Sequence, residues 1–199
     1  MRRVKMGWWR AGIVVSIGMA AFLISAPPAT TQSNNPPQYD SNGNLLRPDG
    51  FEKWVFVGSN VGLSYESTTD SLEFHNVFMK PEDYAEYAKT QKFPDKTVFV
   101  IDRRTPGDRT KDPTHELKAG HYNDKRVGIL AAVKDLNHPR PPGSTTPWAY
   151  YEFDMKGDQM PDSMKAEDAG NCENCHAKVN AKTDNVWVPF YPILRDMKK

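Results

Sequence analysis

Cysteine is scarce, with two in 199 residues. That rules out a fold stapled by several disulfides and a zinc site built on two cysteine pairs. Excess charge is lacking too: 26 Lys+Arg stand against 25 Asp+Glu, a formal net charge of +1. Four of those cations, Arg2, Arg3, Lys5 and Arg10, fall within the first ten residues, which leaves the chain from Pro27 onward near −3. With no basic stripe, nucleic acid is not an expected partner. The apolar run Ala11–Ala26 has 16 residues, short of the roughly 20 that a bilayer span needs. No internal repeat or heptad pattern is present.

What the chain does have begins with a basic stretch, Met1–Arg10, followed by that apolar run and then by Pro27-Pro28. This is the layout of an export signal over residues 1–26, and an uncleaved N-terminal anchor is the competing reading. Either way the rest of the chain is expected outside the cytoplasm, in the periplasm or an equivalent compartment. Residues 27–50 are polar and rich in Pro and Asn, as expected of a flexible linker. One domain is expected over residues 51–199.

Within it, Phe51–Gly58 is apolar with no clear period. Ser71–Lys80 reads as a strand with His75, Val77 and Met79 on one face. Pro81 suits the first position of a helix over 81–90, with Glu82 and Asp83 in its first turn. Thr97–Arg103 is β-branched and strand-like. Residues 104–118 read as a long charged loop. Arg126–Asp135 is apolar on both faces, as an interior strand would be. Trp148–Asp154 is an aromatic strand. Trp187–Leu194, broken by Pro189 and Pro192, is expected to be extended. The fold class expected is α+β, mainly antiparallel sheet with a few short helices.

Both cysteines stand in one motif, Cys172-Glu173-Asn174-Cys175-His176. CxxCH is the attachment signature of a c-type haem. Two thiols three positions apart reach the two vinyl groups on one edge of the porphyrin, and the adjacent imidazole is carried to the iron. A Cys172–Cys175 disulfide, a thioredoxin-like pair and a zinc site are the competing readings. The thioredoxin reading lacks a βαβ context and the zinc reading lacks further ligands. The expected cofactor is one covalent haem c held by Cys172, Cys175 and His176, with His176 as the metal ligand.

Function then turns on the sixth iron position. Met155, Met160 and Met164 precede the motif and could fill it, giving an electron carrier, although Met is also a common gap-filler. His115, His121 and His138 lie in or beside polar loops. His75 sits inside a predicted strand, where a satisfied structural histidine competes with a pocket role.

In order, the segments FEKWVFVGS (51–59), EFHNVFMKPEDYAEYAKT (73–90), FPDKTVFV (93–100), RVGILAAVKD (126–135), TPWAYYEFD (146–154), CENCH (172–176) and DNVWVPFYPIL (184–194) resemble the cytochrome P460 family, which includes the cytochromes c′-β. The resemblance implies a mainly antiparallel β fold, one haem c with proximal His176, an open distal site and a homodimer. It also implies a small nitrogenous or gaseous ligand. Enzymes of the P460 type oxidise hydroxylamine and carry a lysine cross-linked to the haem; the cytochromes c′-β lack that link and bind nitric oxide in an apolar pocket.

The position matching that lysine is Ile101, which cannot form the link. Phe99 shares its face, so Phe99 and Ile101 are expected to wall the distal side. His75 takes the place of a pocket arginine. The acidic proton-transfer residue of those enzymes has five neighbours to choose from here, Asp154, Asp158, Asp162, Glu167 and Asp168. The reading this favours is a mono-haem cytochrome that binds or detoxifies nitric oxide. A hydroxylamine-oxidising enzyme and a six-coordinate electron carrier are the alternatives. The redox partner is unknown.

Overall fold

The computed structural model describes residues 35–63, 72–108, 120–179 and 181–197. Its centre is a five-stranded antiparallel meander, in the order β2 (Val55–Val61), β3 (Phe74–Met79), β4 (Val98–Asp108), β5 (His121–Lys134) and β6 (Trp148–Asp154). A two-stranded ladder joins β1 (Leu45–Leu46) to β7 (Ser163–Met164). The helices are α1 (Pro81–Thr90), α2 (Cys172–Val179) and α3 (Pro192–Arg195). The expected α+β class is therefore what the chain adopts. Among the described residues no helix is long and apolar enough to cross a membrane.

Both faces of the sheet are covered, which is why its inner strands read as continuous apolar runs. Alternation assigns each residue to a side. Val77, Met79, Phe99, Trp148 and Tyr150 face one core, with Tyr87 of α1 and Val186, Val188, Tyr191 and Leu194 of the tail. Val98, Val100, Ile129, Ala131, Val133, Tyr151 and Phe153 face the other, with Leu45 and Phe51.

Helix α1 starts and stops on local chemistry. Pro81 takes its first turn and Gln91 ends it in a left-handed conformation at φ 57°. Its Tyr87 stacks on Phe93 with centroids 4.4 Å apart.

Three expectations need correction. Residues 35–50 are not a free linker. Leu45 is only 1% exposed and packs with Phe51, while Tyr39 stacks on His138 at 3.6 Å. The segment is polar in composition, but its few apolar side chains are the ones that cap the second core. The 104–118 loop is shorter than its charge suggested, because β4 runs on to Asp108 and β5 begins at His121. Pro106 is accommodated there by a break in the β4–β5 register between Arg104 and Pro106. The tail is not extended either: Val188–Phe190 is a 3₁₀ turn and Pro192 opens α3. Both prolines sit at helix starts, where a missing N–H costs nothing. The tail crosses β2 at Gly58, where an added Cβ would lie 3.2 Å from the Phe190 carbonyl oxygen and 3.3 Å from the Tyr191 Cα.

Candidate functional site

Helix α2 begins at Cys172 and lies against β6. Residues three and four apart share a helix face, so Cys172, Cys175 and His176 point to one side. Both cysteines are half-buried thiols. The first variable residue of the motif fixes the helix to the body. Glu173 is 4% exposed and accepts the Thr146 N–H at 2.8 Å, the Thr145 N–H, and the Thr145 hydroxyl at 3.2 Å. Burial alone would raise its carboxyl, but these donors outweigh burial and hold it below the ordinary carboxylate range.

The His176 Nδ1 lies 2.8 Å from the Asn185 carbonyl oxygen. A carbonyl can only accept, so Nδ1 carries the proton and Nε2 is the nitrogen suited to a metal. The Asn185 side-chain amide in turn donates to the His176 carbonyl at 3.3 Å. The Tyr150 ring lies 4.7 Å from the imidazole and the Trp187 ring meets it edge-on at 5.9 Å. Burial lowers the His176 pKa, against the pull of the Asn185 carbonyl, and this favours the neutral imidazole a metal requires.

A cleft lies between this helix, the 185–191 segment and the first face of the sheet. Two cross-strand rows build its wall: Ile101 pairs with Leu130, and Phe99 with Ala132 and on to Tyr150. Cys172, His176 and Trp187 line the opposite side. Two carboxylates, Glu152 and Glu167, lie at the edge. Burial pushes the Cys172 thiol up, and those two carboxylates add to it.

Glu152 is itself bonded to Arg103, which reaches Asp154 at 2.8 Å and Glu73 at 3.5 Å. His75 stands 3.6 Å from Glu73 at the far end of this polar rim. Burial lowers the His75 pKa; Glu73 opposes this and Arg103 reinforces it.

An apolar slot, two thiols on one helical turn and an oriented imidazole fit a covalently held porphyrin. Among the described residues no group of three His, Cys, Asp or Glu could hold a metal ion on its own. Residues 48–188 match the sequence profile of cytochrome P460. The chain belongs to the cytochrome P460 family. Members of that family bind haem c covalently. No curated protein matches the chain.

For a cytochrome P460, the residues expected from the sequence are partly assembled. Cys172, His176, Phe99 and Ile101 line one cleft, with Cys175 on the same helical turn. His75 does not line it and belongs to the Arg103 rim. Met160 and Met164 pack on the opposite face of the sheet, where they cannot serve an iron beside His176. Met155 follows the end of β6 and does not line the cleft either. His121 is exposed at the start of β5, His138 is held against Tyr39 and the Gly43 carbonyl, and His115 lies outside the described residues.

Of the acidic candidates only Glu167 lines the cleft; Asp154 is on the rim, and Asp158, Asp162 and Asp168 are exposed. Glu152, Leu130 and Ala132 were not singled out from the sequence. Period-two alternation outward from Ile101 and Tyr150 points to all three once the register is known. A second, more polar cleft on the other face, lined by Lys80, Arg47 and Trp54, carries neither thiol nor imidazole.

Proposed function

We propose that this chain is an exported mono-haem c-type cytochrome that binds a small nitrogen-oxide ligand such as nitric oxide. Cys172 and Cys175 would hold the haem, each by adding its S–H across a vinyl group, and His176 would ligate the iron through Nε2. The bound haem supplies an iron with one coordination position for a diatomic ligand. The chain's own part is to hold the imidazole, exclude water and offer an apolar wall.

One observation carries this reading. Among the described residues, those lining the cleft include no Met and no Lys, and His176 is their one imidazole. That favours an open sixth position over a six-coordinate electron carrier. Ile101 in the wall favours a haem without a lysine cross-link. The family's association with small nitrogen ligands points the same way. Export rests on residues 1–26, which lie outside the described residues, and a homodimer rests on the resemblance; gel filtration of the holoprotein tests the latter.

The experiment is spectroscopic. The reduced protein should bind carbon monoxide and nitric oxide at full occupancy, and its haem should resist acid–acetone extraction. A reduced protein that refuses carbon monoxide overturns the open-site reading. A red-shifted P460-type ferrous Soret band overturns the absence of a cross-link.

Glu152, at the cleft edge and bonded to Arg103, favours a second reading, because oxidation of hydroxylamine must release protons. Turnover of hydroxylamine with an artificial electron acceptor decides for it; no turnover removes it.

A further inference from the structure

The contact that orients His176 is built by residues far from the motif. Asp184 and Asn185 both take positive φ, 54° and 63°. Asp and Asn tolerate this conformation as single residues; two in succession must be held by their surroundings. Two anchors do so. The Asp184 carboxylate accepts from the Lys134 ammonium at 2.6 Å, and that ammonium also donates to the Phe93 carbonyl at 2.8 Å. The Asp184 backbone carbonyl accepts from the Trp148 indole N–H at 2.8 Å. Lys134 ends β5, Trp148 begins β6, and the two are register partners. One cross-strand pair thus grips Asp184 by both its side chain and its backbone. The next peptide carbonyl, that of Asn185, is the one that accepts the His176 proton.

We propose that Lys134 and Trp148, acting through Asp184, are positioning residues that set the hydrogen bond on His176 Nδ1 and thereby the donor strength of the axial ligand. The inference rests on the reading of His176 as the haem ligand. A firm Nδ1–H···O=C bond raises the basicity of a ligating imidazole. A more basic imidazole strengthens the iron–histidine bond and stabilises the oxidised iron, which lowers the reduction potential. The sheet thus tunes the iron from a distance, because the acceptor is a rigidly held backbone atom and not a side chain free to turn.

The test uses the holoprotein and three variants, Lys134→Met, Trp148→Phe and Asp184→Asn. Resonance Raman spectra of the ferrous form read the iron–histidine stretch, and redox titration reads the potential. The first two variants should shift the stretch to lower frequency, raise the potential and increase the fraction of the nitric oxide adduct that loses its proximal ligand. Asp184→Asn keeps the left-handed preference and an acceptor for Lys134, so it should stay nearest the wild type.

A purely structural role would lower stability or yield and leave stretch and potential where they were. That result in either of the first two variants overturns the inference. The wild type supplies an independent check: the His176 Nδ1 proton should exchange slowly with deuterium, and fast exchange overturns the inference whatever the variants do. A five-coordinate wild-type ferrous protein with no iron–histidine stretch refutes the assignment of His176 itself, a different failure from unchanged variants.

Discussion

Asn185 contributes to the site through a backbone carbonyl, and that kind of role leaves no mark on residue identity. Cys172, Cys175 and His176 are legible because covalent attachment demands particular side chains at a particular spacing. The acceptor on Nδ1 demands only a carbonyl in the right place, so nothing in Asp184-Asn185 announced it beyond two residues that tolerate positive φ. Ile101 lies between these cases. Its identity is informative only once its strand face is known, and the cleft has it on the wall.

Ile101→Gln tests that placement. An amide N–H beside a bound diatomic donates to its outer atom, so the C–O stretch of the carbon monoxide adduct should fall; an unchanged stretch would put Ile101 away from the ligand. His75 makes a different prediction. Burial lowers its pKa in the folded protein, so below an unfolded value of about 6.5 the unfolded chain binds more protons. The stability His75 contributes is therefore complete above about pH 6.5 and is lost as pH falls from there toward its folded value. Urea midpoints measured across pH should show that decline, and His75→Gln should flatten part of it.

At the scale of elements, the helix expected over 81–90 and the aromatic strand expected over 148–154 lie where the sequence put them, whereas the far end of β4 and the start of β5 do not. Residues 104–106 are half-buried, 121–125 are exposed, and Arg104, Asp108, Asp124 and Lys125 carry charge, so the composition resembles a loop even while the backbones pair. The tail misled for the opposite reason: its prolines suggested an extended chain, yet each sits in the first turn of a short helix. Helix α2 shows what periodicity cannot report. At eight residues it is too short to be stable alone, and its position depends on Glu173 reaching back to residues 145 and 146. Glu173→Ala would leave the Thr145 and Thr146 backbone N–H groups without their acceptor. A hydrogen bond to a charged group contributes about 1.5–3 kcal/mol, so a loss of about 3 kcal/mol is expected in the urea midpoint. The variant should also attach haem less completely, because the thiols ride on the displaced helix. Full attachment at wild-type stability would show that α2 is held by other contacts.

At the scale of the whole molecule, a meander with two buried faces needs two covers, and they come from different segments of the chain. The first face is covered by α1, α2 and the tail, and the haem cleft opens between that layer and the sheet. The second is covered by the segment before β2, which the polar composition of residues 27–50 disguised as a linker. Its hold on the body is specific. Leu45 is buried beside Phe51 and Val98, the Tyr39 hydroxyl donates to Asp135 at 3.2 Å, and the Ser163 hydroxyl donates to Asp40 at 2.8 Å.

The two covers meet different faces, so they should fail separately. Leu45→Ala removes a fully buried side chain from the second core and should cost about 3 kcal/mol, within the range of 2–5 kcal/mol for such truncations. Because the wall of Phe99, Ile101, Leu130 and Ala132 faces the other way, the carbon monoxide spectrum and the reduction potential of that variant should match the wild type. A shift in either, in a variant that still folds, would mean that the sheet transmits strain from one face to the other and that the second cover also shapes the haem site.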